Sequence, residues 1–199
     1  ALPQSPAPEI NIPPVVVTLA LIFALGLTSA NAASSATASR QSPISNASIV
    51  SASYSGTVND RVAALDATLQ FSGATDGQIV PLFGGDVAAQ GFCVQDGRAE
   101  LVRDGSNIAV RFESGGCVKL QIKLLVKVAG DVTKRRLAFD IPPALSSQVT
   151  LALDEAGADV DFPAAIALQR TLDHEQTRIT AVLGSADKVV LAWTPRVKR

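Results

Sequence analysis

From Cys117 to Val128 the chain alternates strictly. Val118, Leu120, Ile122, Leu124, Val126 and Val128 occupy one set of positions, and Lys119, Gln121, Lys123, Leu125 and Lys127 the other. Successive side chains of an extended strand point to opposite faces, so this spacing makes one apolar face and one wet face. Wound as a helix, the same residues would scatter lysines round the whole cylinder and leave no apolar stripe to bury. The segment reads as a strand, and its apolar face needs other elements to cover it.

The same period of two recurs in Leu65/Ala67/Leu69/Phe71, Leu137/Phe139/Ile141, Val149/Leu151/Leu153 and Val189/Leu191/Trp193. Weaker runs lie at Ile49–Val58, Gln78–Leu82, Ile108–Phe112 and Arg178–Leu183. Between them stand Asn59-Asp60, Asp76-Gly77, Asp96-Gly97, Asp104-Gly105, Gly115-Gly116 and Gly130-Asp131. Such pairs suit tight hairpins because they accept positive φ at little cost. Short strands with regular turns predict an all-β fold, an antiparallel β-sandwich over residues 47–199. One helical turn is allowed at Arg61–Leu65.

Ahead of this body lies Val15–Leu27, thirteen residues interrupted only by Thr18 and Gly26. A spanning helix needs about 20 apolar residues, whereas the apolar part of a secretory signal runs to about 7–15. Length favours a signal, and Ala30-Asn31-Ala32 supplies the small-x-small pattern before a cut at Ala33. The lead-in opposes it, having no Lys or Arg and carrying Glu9. The competing readings are a retained membrane anchor stretching from Ile12 to Ala32 and a buried helix of a soluble protein. Signal and anchor both imply export, to the periplasm or the cell surface, with the membrane as partner through this segment. The expected organisation is a hydrophobic helical leader over 1–32, a flexible Ala/Ser/Thr-rich linker over 33–46 and the β-domain over 47–199, cut short on its C-terminal side. The chain contains no methionine, which fits an excised piece of a longer reading frame.

A net charge of −1 and a pI near 5.8 give no basic field for nucleic acid. The remaining chemistry is sparse. Cys93 and Cys117 are the two cysteines; in an oxidising compartment they either close a loop of about 24 residues, for roughly 3 kcal/mol, or stay as two small buried thiols on separate strands. His174, the single histidine, sits among polar residues as a turn residue would, and no Gly-x-Ser-x-Gly elbow accompanies it. Asp154, Glu155, Asp159 and Asp161 are dense enough to suggest calcium, yet their spacing misses the helix-flanked loop, and Asp159 and Asp161 alternate as on the wet side of a strand. Lys134-Arg135-Arg136 and the terminal Arg196, Lys198 and Arg199 are small basic clusters; the first, flanked by Asp131 and Asp140, suits a strand edge or hairpin better than phosphate or lipid contact. Gly84-Gly85-Asp86 lacks the lysine or spacing of a phosphate loop and reads as a turn. No catalytic, metal-binding or cofactor-binding residues are assigned, and no cofactor is expected.

The phrases Asp60–Phe71, Val80–Ala88, Glu100–Gly105, Leu153–Phe162 and Trp193–Arg199 resemble the N-terminal region of large, exported, uncharacterised bacterial envelope proteins. The resemblance implies a module of a longer β-rich chain, with other domains of that chain or envelope proteins as partners. The leading expectation is a non-catalytic structural or interaction module. A carbohydrate- or small-ligand-binding sandwich is the alternative, requiring Tyr54 and Trp193 on an open surface; a hydrolase using Asp or Glu is third.

Overall fold

The computed structural model describes residues 46–195. The leader expected over 1–32, all of the linker except Asn46, and the terminal basic residues lie outside the described residues.

Thirteen strands follow one another in the described residues, with no helix between them. They are β1 (Ser48–Val58), β2 (Val62–Ala74), β3 (Ile79–Phe83), β4 (Val87–Asp96), β5 (Ala99–Asp104), β6 (Asn107–Phe112), β7 (Gly116–Gly130), β8 (Arg135–Asp140), β9 (Ala144–Leu153), β10 (Asp159–Asp161), β11 (Ala165–Asp173), β12 (Gln176–Leu183) and β13 (Lys188–Thr194). The helical turn allowed at Arg61–Leu65 is instead the start of β2. Asn59 accepts hydrogen bonds from the backbone N–H groups of Arg61 and Val62, which closes the preceding turn and lets the strand begin at once.

One sheet runs β10-β13-β8-β7-β2-β1-β9-β12-β11, with β4 as a tenth strand on β7; a second runs β3-β6-β5. The long alternating strand β7 is the branch point. One of its edges pairs with β2, and the other is shared between β4, opposite Lys119–Val126, and β8, opposite Val128–Gly130. Gly130 makes the turn into β8, with a φ of 104° and no room for a Cβ against the Lys134 carbonyl. The pairings are antiparallel with one exception: β1 and β9 run parallel, Tyr54 opposite Val149. Their alternation is that of any half-buried strand, so direction could not be read from it.

The even positions of β7 from Val118 to Val126 are almost wholly buried, as are Leu65, Leu69 and Phe71 of β2. Aromatic rings join the core to the small sheet through β3 and β6 and, within the large sheet, join β1 to β8. Phe71 meets Phe112 of β6 edge-on at 5.1 Å, and Tyr54 meets Phe83 of β3 at 6.3 Å and Phe139 of β8 at 6.4 Å. Each fully buried Leu, Ile or Phe contributes about 1.5–3 kcal/mol of transfer free energy. The opposite face of the large sheet carries Ser53, Ser55, Lys119 and Lys123, all exposed.

Three strands had no clear sequence signal. β4 and β5 are partly exposed on both faces, and β4 carries two register shifts that interrupt its period. β11 is exposed along almost its whole length, so burial imposes no alternation on it.

Candidate functional site

The two cysteines are held apart by strand register. Cys93 of β4 lies opposite Gln121, four residues along β7 from Cys117. At about 3.4 Å per residue that is roughly 14 Å, far beyond the Cα separation a disulfide spans. Both thiols are free, and they lie on separate strands exposed rather than buried, because neither sits on the core face of its strand.

The basic cluster after Gly130 and the acidic segment after Leu153 meet in space. Arg135 opens β8, and its guanidinium donates to Glu155 and, at 2.5 Å, to Asp60 Oδ1. Glu155 and Arg135 are largely withdrawn from water, and Glu155 Oε2 has no hydrogen-bond partner. The backbone carbonyl of Glu155 accepts from Thr177 Oγ1 at 2.6 Å, and the same hydroxyl accepts from the Ala158 N–H at 3.1 Å. This network ties the β1–β2 turn, the β7–β8 hairpin and the β9–β10 connection to β12. Residues 20 and 75 apart in sequence are involved, so no local pattern announces it. Asp159 goes elsewhere, pairing with Arg170 of β11 at 3.3 Å. Among the described residues no three His, Cys, Asp or Glu side chains gather in a metal-binding arrangement.

His174 forms the tip of the β11–β12 hairpin with φ 56° and a side chain 97% exposed. Tyr54 and Trp193 are buried, at 1% and 2% exposure, so neither offers a platform for a sugar face.

An apolar groove of about 500 Å³ lies where β1 and β9 begin. Val80, Pro81, Pro142, Pro143 and Leu145 supply its walls, with Ser48 and Ser185 as hydroxyl-bearing neighbours. No titratable side chain lines it, so it can offer apolar contact but not proton transfer. A smaller depression of about 320 Å³ on the wet side of the large sheet holds Asp66 and Lys123, cross-strand neighbours on β2 and β7.

No family model and no curated protein matches the chain. Solved structures do. An M1 zinc metallopeptidase from Deinococcus radiodurans aligns with a TM-score of 0.50 at 10% identity, over 73% of this chain and 42% of that one. A two-domain M1 zinc metallopeptidase mutant bound to L-arginine aligns with a TM-score of 0.51 at 11% identity, over 75% of this chain and 42% of that one. At this identity the likeness is one of fold alone, and the chain spans less than half the length of these structures.

Proposed function

We propose that this chain is a non-catalytic structural or interaction module of a longer exported protein of the bacterial cell envelope, its sheets packed face to face as a sandwich behind an N-terminal signal or anchor. The fold match supports only the modular part of this reading: in the metallopeptidases it resembles, the aligned region is 42% of a larger chain. The local chemistry supports it. Arg135, Glu155 and Asp60 are engaged in holding strands together, and the aromatics that would read a sugar are in the core. The apolar run Val15–Leu27 and the Ala30-Asn31-Ala32 pattern support export.

A second reading comes from the same match: the chain is the β-rich part of a metallopeptidase-like protein. A helix-borne His-Glu-x-x-His zinc site requires two histidines, and this sequence has one, so here too the chain itself would be the non-catalytic part. Expressing the whole reading frame separates the two. Recovery in the envelope fraction with no hydrolysis of short peptides supports the module reading; chelator-sensitive peptide hydrolysis supports the second; a cytosolic product would sink the envelope assignment.

A further inference from the structure

We propose that β11 is a self-pairing edge, through which two copies of this chain join their large sheets into one. Five strands among the described residues end a sheet path, and four of them are guarded. β3 is five residues long and contains Pro81; β5 has six residues and carries Glu100, Arg103 and Asp104; β10 is three residues with two aspartates; β4 is broken by two register shifts. Short length, charge, proline and bulges are the devices that keep an edge from adding a strand. β11 has nine residues, a single register shift at its start and no Pro, and its two charges, Arg170 and Asp173, are both paired within the chain. Its side chains Ile166, Leu168 and Leu172 are 75%, 44% and 66% exposed.

An open edge presents backbone N–H and C=O groups, which only another extended strand can satisfy in series. Charge and register favour a second copy as that strand. The charges near the edge are already matched within the chain, Arg170 to Asp159 and Arg178 to Asp173 at 2.9 Å, so two copies approach without net repulsion. A two-fold axis normal to the sheet keeps each face continuous, so antiparallel self-pairing must centre on a residue. Centring on Arg170 would set like charges opposite each other. Centring on Gln169, the midpoint of Ala165–Asp173, pairs the entire strand. The two Gln169 amides then face each other, each able to donate and accept; Leu168 lies against the stem of the other copy's Arg170, and Ile166 opposes Leu172. This pairing does not rest on the chain's cellular location.

The test is sedimentation equilibrium of the full chain, with cross-linking in a Cys93→Ser/Cys117→Ser background. The expected result is a monomer–dimer equilibrium that Leu168→Lys/Leu172→Lys weakens by on the order of tenfold or more, with the far-UV circular dichroism of the folded chain unchanged. Under oxidation Gln169→Cys should yield a disulfide-linked dimer while Ser53→Cys, exposed on β1, should not. A monomer at every concentration up to about 100 µM, association indifferent to the lysines, or equal cross-linking by both cysteine variants would each overturn the proposal.

Discussion

At the scale of the residue, the sharpest energetic consequences in the described part of the chain lie where polar groups are buried. Tyr54 is buried between Phe83 and Phe139 with its hydroxyl unpartnered, and burial pushes the phenol above its ordinary range. Tyr54→Phe should therefore raise stability by about 1 kcal/mol in urea unfolding, because it removes an unsatisfied polar group and keeps the ring. Since the folded-state pKa is raised, the contribution is complete below the unfolded value and lost as pH climbs through the folded one. The wild type should accordingly lose stability above about pH 10 relative to Tyr54→Phe. Arg135 presents the opposite case. Arg135→Ala leaves the withdrawn Glu155 carboxylate without its partner and should cost about 3 kcal/mol, while Arg135→Met/Glu155→Leu should recover most of it; a double-mutant cycle from unfolding midpoints reads the coupling. The sequence showed Arg135 as part of a basic hairpin and Glu155 as part of an acidic segment. It could not show that the two meet, because electrostatic partners far apart in sequence leave no local trace.

At the scale of the element, β7 and its turn were the most legible. Six alternating apolar residues dictate one buried face whatever the partner strands are, and Val118 to Val128 are buried as that alternation requires. The turn after it is built by Asp131, whose carboxylate accepts from the Thr133 hydroxyl at 2.6 Å, the Thr133 N–H at 2.8 Å and the Lys134 N–H at 3.1 Å. The Thr133 side-chain bond, followed by the backbone bonds from Thr133 and Lys134, holds the Asp131 carboxyl below its usual range. A lowered folded-state pKa gives support present above the unfolded value and lost as pH falls through the folded one. Amide exchange at Thr133 and Lys134, corrected for its intrinsic pH dependence, should accordingly lose protection below about pH 4, and Asp131→Ala should abolish that pH dependence. β11 was illegible for the converse reason: exposed on both faces, it obeys no hydrophobic period, and its strand state comes from the hydrogen-bonded ladder with β12.

At the scale of the whole molecule, β1 must wait for β9, about a hundred residues later, before its second edge is paired, and β2 must wait for β7. Such distant pairings cost loop-closure entropy before any contact offsets it, so refolding from urea should take milliseconds to seconds or longer when followed by Trp193 fluorescence; a microsecond phase carrying the full amplitude would contradict this. By itself the sequence determined that the described body is all-β, which face of each strongly alternating strand is buried and where three hairpins turn, at Asn59-Asp60, Asp104-Gly105 and Gly130-Asp131, because side-chain period and turn chemistry are local properties. Asp76-Gly77, Asp96-Gly97 and Gly115-Gly116 instead carry the chain between the two sheets. Only the tertiary structure decided the parallel partner of β1, the branching of the sheet at β7, the wide separation of Cys93 from Cys117 and the open edge at β11. Those depend on which strands neighbour one another, and every half-buried strand advertises the same alternation to all candidate partners.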